Sequence, residues 1–389
     1  VSAHPALLLY CQHSVGLGHL ARSLALAEGL AERFEVTLLS GGPLPDGVEA
    51  PAGVQLVQLP PLGMTGGKLI SRDGARTVDD AFALRRETLL ATLRRTRPAA
   101  VVVEMFPFGR KKFAAELLPL LEAARAMGPE RPFVACSLRD ILVGRGDEQA
   151  DYDDRAARWA NEHFDAVLLH ADPRLARLEE SFRPRVALQV PVHYTGYVVP
   201  GGDVVPAAHR EGIVVSAGGG IVGGALMRAA LDAHRILWPW RRIPTRLIAG
   251  PFLPADEWDA LVAAADGVEG VEVVRSVPNL RAALAGAAAS VSQCGYNTAF
   301  DLVRARVPAL VVPYAEPGED EQARRARRLE DLGALRTLDA RRLDGPALAA
   351  ALVELLRFEP RPIGLRLDGA RETADLLAGL VAERRELVA

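Results

Sequence analysis

At 389 residues the chain is long for a single hydrophobic core, which points to two domains. With 49% apolar and 24% charged residues it is globular rather than disordered, and a net charge of −3 excludes the basic excess of a general nucleic-acid binder. Lysine stands only at positions 68, 111 and 112, an arginine and alanine bias that reflects GC-rich bacterial coding rather than a binding requirement. Cys11, Cys136 and Cys294 are odd in number and scattered, so they form neither a metal pattern nor a disulfide framework, and a reducing cytoplasm is the expected home. The early apolar run ALLLYC is too short for a signal peptide and lacks a basic leader, and no run reaches the roughly 20 residues of a membrane span.

Short apolar strands alternate with amphipathic helical stretches, the mark of an α/β chain. ALLLYC (6–11) reads as the first strand, followed by the turn QHSVGLGH and a helix. A second strand, 35–40, stops at Gly41 and Gly42, and 43–76 reads as a long Gly- and Pro-rich connection with one short strand. Buried strands follow at 99–104, 132–138 and 166–170, separated by helices. Residues 201–211 read as a linker between an N-terminal domain (1–200) and a C-terminal domain (212–365). The strand pattern restarts at 212–220 (GIVVSAGGG) and runs through 245–250, 271–276, 289–293 and 309–313. The last stretch, 366–389, is a strong amphipathic helix whose docking surface periodicity alone does not place.

Polar and glycine residues gather just past the carboxyl ends of these strands, the edge at which open parallel sheets bind ligands. The expected fold class is therefore α/β, with two Rossmann-like domains facing each other across a cleft. GLGHLA (16–21) matches the dinucleotide fingerprint, but the second strand ends Ser40–Gly41–Gly42 without the acid that holds a ribose. An imidazole at a helix N-terminus suits a general base better, because the dipole favours its neutral form. His19 is one candidate and His13 the other. Glu104, Phe106, Arg110, Arg139 and Asp140, with Gly18, lie at strand ends where an acceptor would bind, and the basic run 110–112 suits an anionic one.

In the second half, Ser216 with Gly218, Gly219 and Gly220 lets backbone amides approach a diphosphate closely. The loop after 271–276 offers the backbone of Val277 to a base edge. The stretch 292–322 reads as strand end, glycine turn at Gly295, helix, buried strand and polar loop. Asn297 or Thr298 is expected to cap that helix, with Asp301 about one turn in, placed to accept from two ribose hydroxyls. Glu319, Asp320, Glu321 and Gln322 crowd the loop beyond and suit a sugar. No HExxH, Cys/His cluster or G-x-S-x-G elbow occurs, so neither a metal nor another cofactor is expected.

GLGHLARS, SAGGG and CGYNTAFDLVRARVPALVVPYAEPGEDEQ resemble the GT-B glycosyltransferases, family 28 above all, and EMFPFGRKKF and SLRDIL resemble a bacterial branch of predicted glycosyl transferases. The resemblance implies a donor nucleotide-sugar site in the C-terminal half and an acceptor site in the N-terminal half. It places Asp301 where the family usually has a ribose-binding Glu, Glu321 and Gln322 at the donor sugar, Gly218 to Gly220 at the diphosphate, and His19 at the histidine of the first turn. The expected reaction is inverting, metal-independent transfer from a nucleoside-diphosphate sugar to a hydroxyl of a small molecule or lipid-linked glycan. UDP is the first choice of nucleotide, and TDP the second, as for a natural-product enzyme. The alternatives are a nucleotide-sugar 2-epimerase of the same fold, a non-catalytic nucleotide-sugar binder and a dinucleotide oxidoreductase.

Overall fold

The computed structural model describes residues 4–13, 18–45, 47–200, 209–314 and 320–388. The chain divides into two compact units, Val1–Gly201 with Leu365–Ala389, and Gly202–Gly364.

Unit 1 is built on the strands β1 (Ala6–Cys11), β2 (Glu35–Ser40), β3 (Val54–Gln58), β4 (Leu62–Thr65), β5 (Lys68–Ser71), β6 (Ala100–Glu104), β7 (Phe133–Arg139), β8 (Ala166–His170) and β9 (Val192–Tyr194). Seven of them form one sheet in the order β3-β2-β1-β6-β7-β8-β9, every neighbouring pair parallel. Leu7 to Cys11 and Val101 to Val103 are all buried, as expected of strands covered on both faces, which read as continuous apolar runs. The segment expected to be a connection carries, besides β3, the antiparallel hairpin β4–β5, which its short runs did not betray. The helices of this part are α1 (Gly18–Leu30), α2 (Val78–Thr96), α3 (Ala114–Arg125) and α4 (Gln149–His163).

Unit 2 contains β10 (Ile213–Ser216), β11 (Thr245–Ile248), β12 (Val271–Val274), β13 (Ala289–Ser292), β14 (Ala309–Val311) and β15 (Arg336–Thr337), again all parallel, in the order β12-β11-β10-β13-β14-β15. Its helices are α5 (Gly224–Arg241), α6 (Ala255–Ala265), α7 (Leu280–Gly286), α8 (Tyr296–Ala305), α9 (Glu321–Asp331) and α10 (Gly345–Leu355). The core joins Val215, Leu247 and Val291 of the sheet to Met227, Leu231, Leu348 and Leu352 of α5 and α10.

The last helix, α11 (Gly369–Val388), belongs to unit 1 although it follows unit 2 in sequence. Ala374, Leu377 and Val381, spaced along one helix face, enter the core of the first sheet. α11 runs close against α1: a side chain at Gly29 would strike the Ala370 backbone at 2.7 Å, so glycine is needed there for close approach.

Each sheet reverses its strand order once, between β1 and β6 in unit 1 and between β10 and β13 in unit 2. Ligands of such sheets bind outside the carboxyl ends of the strands at that reversal. His13 and Glu104 follow or end β1 and β6, while Ser216 and Gly295 end or follow β10 and β13.

Candidate functional site

In unit 1 the reversal holds an imidazole–carboxylate pair. His19 is the second residue of α1, and its Nδ1 lies 2.6 Å from Oε1 of Glu104, the last residue of β6. An ionised carboxylate only accepts, so Nδ1 carries the proton and Nε2 keeps the lone pair. The Arg22 guanidinium, one turn along α1 from His19, donates to the same Glu104 oxygen. Burial would raise the Glu104 carboxyl, but His19 and Arg22 outweigh it and hold the group at about 2. Burial pulls His19 down to about 4 against the attraction of Glu104. At neutral pH the ring is therefore uncharged, and Arg22 supplies the standing positive charge beside the carboxylate. The His19 side chain keeps 21% exposure, against 1% for Glu104.

This geometry revises two expectations. Glu104 was expected to meet an acceptor, yet one of its oxygens orients His19; its Oε2 is buried without a partner. His13 is buried, with Nε2 2.8 Å from the Pro43 carbonyl, so that nitrogen carries the proton and the remaining lone pair, on Nδ1, is itself buried. Burial lowers its pKa as well. Of the two base candidates, His19 alone combines an oriented tautomer with partial exposure. Gly42 owes its smallness to His13: an added side chain would meet the His13 carbonyl at 2.1 Å.

The other acceptor candidates divide. Phe106 is fully buried and stacks on Trp159 with centroids 5.4 Å apart, so it is core rather than a surface for acceptor. Asp140 is also fully buried, and Arg139 donates from Nε to the Ile141 carbonyl at 3.1 Å. Arg110 is left-handed (φ 56°), half-buried, and close enough for its charge to act on His13, His19 and Glu104. Gly18 opens α1; the rest of the glycine turn, 14–17, lies outside the described residues.

In unit 2, Gly295 rather than Asn297 or Thr298 is the N-cap of α8, and no side chain caps the helix. Gly295 has φ −61°, ordinary for any residue, with open space where a side chain would point. Asn297 and Thr298 instead lie in the first turn, whose N–H groups have no intrahelical acceptor. Asp301 stands six residues past the cap, deeper than one turn, at 9% exposure. Its Oδ1 is buried without a hydrogen-bond partner, and burial raises the carboxyl to about 6 despite the charges of Arg281 and Arg304. A buried, unsatisfied carboxylate oxygen is costly in the free protein, and a ligand hydroxyl would satisfy it.

The glycine triplet does not open α5 directly; a loop to Gly223, the N-cap, intervenes. Gly218 has φ +60° and open space beside it, while the Gly220 N–H donates to the Ala217 carbonyl at 3.1 Å. Gly220 (φ +93°) is needed for packing, since a side chain would meet the Ala249 carbonyl at 2.5 Å. The Ser216 hydroxyl accepts from the Gly218 N–H at 3.4 Å, and Gln293 Nε2 donates to the Val222 carbonyl at 3.1 Å, tying this loop to the end of β13. Val277, half-buried, lies in the loop between β12 and α7.

Glu321 and Gln322 begin α9 after its N-cap Asp320, rather than sitting in a loop. Gln322 Oε1 accepts from the N–H groups of Cys294 (3.0 Å) and Tyr314 (3.2 Å), so its carbonyl joins the ends of β13 and β14. Glu321 accepts from Arg325, which is fully buried and also donates to the Cys294 carbonyl at 2.8 Å. Sequence reading missed Arg325 and Arg22. The His19 to Arg22 spacing, three residues on one helix, was the available signal for Arg22. Glu319 lies outside the described residues. Among the described residues no group of three or more His, Cys, Asp or Glu is placed to hold a metal ion, and no helix is long and apolar enough to cross a membrane.

Residues 256–367 match the glycosyltransferase family 28 C-terminal domain. Among solved structures the chain is similar to MurG of Acinetobacter baumannii (17% identity, TM-score 0.59, covering 96% of this chain and all of that one). It is also similar to UGT2 of Phytolacca americana complexed with UDP-2-fluoro-glucose and pterostilbene (15%, TM-score 0.58, 98% and 95%). A third is the glycosyltransferase VinC in complex with dTDP (18%, TM-score 0.54, 98% and 95%). Among curated proteins none matches the chain significantly.

Proposed function

We infer that this chain, a family 28-like glycosyltransferase of the GT-B fold, takes its sugar from a nucleoside diphosphate sugar held by unit 2 and uses His19 of unit 1 as general base. The single observation that carries the reading is the unsatisfied buried Oδ1 of Asp301 on α8, the helix that Gly295 opens. A ribose hydroxyl donating to Asp301 satisfies that oxygen, while the positive end of the α8 dipole and the glycine loop at Gly218 stabilise the diphosphate charge. UDP is the favoured nucleotide and TDP the second, in keeping with the nucleotides named in the UGT2 and VinC complexes.

The proposed step is inverting. His19 Nε2 takes the proton of the acceptor hydroxyl as its oxygen attacks the anomeric carbon, the bond to the β-phosphate breaks, and the nucleoside diphosphate leaves with the electron pair. Glu104, accepting from Nδ1–H, stabilises the imidazolium as it forms. Dipole and amides replace a metal at the leaving group, which makes the step metal-independent. The acceptor is a hydroxyl of a small molecule or lipid-linked glycan.

Incubation with a UDP-α-sugar and a panel of hydroxyl acceptors, with and without EDTA, tests this reading. The expected products are a β-glycoside and UDP at rates unaffected by EDTA. An α-linked product, or loss of turnover on chelation, contradicts the mechanism.

A further inference from the structure

The amino-terminal end of the unit 1 sheet carries a cavity of about 420 Å³ that none of the proposed chemistry uses. Its polar lining is Arg97, Glu130, Arg131, Arg384 and Arg385. Arg97 and Arg131 lead into β6 and β7, and Arg384 and Arg385 come from α11. The base site lies past the other end of β6, a strand of five residues, which at about 3.3 Å per residue puts roughly 15 Å between them.

Four guanidinium groups meet two carboxylates here. Arg97 pairs with Glu130. Asp165, bound to two of the lining arginines, accepts from both Nη atoms of Arg131 (3.0 and 2.7 Å), from Nη1 of Arg384 (2.8 Å) and from the Val134 N–H (2.8 Å). Three of these bonds fall on Oδ2 and one on Oδ1, so most of the acceptor capacity of Asp165 is already used. Arg385 forms no ion pair among the described residues. The balance is an excess of two positive charges around a recess large enough for a small ligand. Burial, Arg131 and Arg125 also make the charge on Arg384 harder to hold, opposed only by Asp165. An incoming dianion relieves that crowding, and planar guanidinium forks suit phosphate oxygens.

We propose that this recess is an anion site, separate from the donor and base sites, which takes a small soluble ligand bearing one or two phosphate groups and fastens α11 to the sheet of unit 1. Inorganic pyrophosphate titrated calorimetrically into the full chain is the probe. The expected result is a binding event that weakens at least tenfold in both Arg385→Gln and Arg97→Gln, with circular dichroism confirming both folded. Both residues lie outside the donor loop and the imidazole–carboxylate pair, so the loss is read whether or not unit 2 binds a nucleotide. Pyrophosphate affinity unchanged in either variant, or no binding event at all, overturns the proposal.

Discussion

At the residue scale, His19 and Asp301 carry opposite burdens. His19 is pulled down to about 4, so it is neutral across the physiological range and ready to accept a proton. His19→Ala is expected to lower kcat by about 10²- to 10⁴-fold, the usual contribution of a general base. Glu104→Gln keeps the shape but replaces an obligate acceptor with an amide, so kcat falls while KM for the donor stays within about twofold. Its kcat–pH profile shifts as well, a readout that a purely structural role for Glu104 would leave unmoved. Steady-state kinetics on both variants checks these expectations. Asp301 is raised from 3.8 to about 6, so it costs the free protein stability as pH rises through that window and costs it fully above the upper value. About two pKa units correspond to at most roughly 3 kcal/mol. Asp301→Asn should therefore melt higher than wild type at pH 8, with the difference closing as the pH falls towards 4, while UDP affinity drops about tenfold. A variant that melts lower than wild type at pH 8 contradicts this. Asp301 was legible because acid, helix start and strand end fall in one short stretch. The cap was not, since Gly295 has no side chain with which to announce itself.

At the scale of elements, the turn chemistry was readable and the tertiary fastenings were not. Glycines at strand ends marked the loops at both sheet reversals, but Gly42 and Gly220 proved to serve close packing, which depends on His13 and Ala249 arriving from elsewhere in the chain. Gln322 looked like a sugar ligand; its carbonyl turned out to join two strand ends, a role invisible until β13 and β14 pair with their neighbours. The buried knot of unit 1 was equally hidden. Arg85 of α2 donates to Glu116 of α3 through Nε (2.6 Å) and Nη2 (2.7 Å), to Gln12 Oε1 (2.6 Å) and to the Gly41 carbonyl (2.7 Å). Both partners are fully buried, so removing one strands the other without solvent. Arg85→Ala is expected to destabilise unit 1 by about 3–5 kcal/mol in denaturant unfolding, with UDP binding by unit 2 retained under native conditions. Equal stability to wild type would show that the knot is relieved by water or by repacking.

At the scale of the whole molecule, alternating strands and helices were enough to read two parallel-sheet units. The return of α11 to unit 1 was not, because its apolar stripe names no partner, and Gly29 reveals the docking only once Ala370 lies against it. The proposed division of labour assigns base chemistry to the strand-order reversal at β1 and β6 and nucleotide chemistry to the reversal at β10 and β13. Such a division makes the two sites separable by mutation. The most direct test is a calorimetric titration of UDP, TDP, GDP and NAD into wild type, Asp301→Ala and His19→Ala. UDP or TDP is expected to bind wild type and His19→Ala with the same affinity and Asp301→Ala at least tenfold more weakly, with no binding of NAD. Preferential binding of NAD, or UDP affinity indifferent to Asp301 and lost with His19, would contradict it.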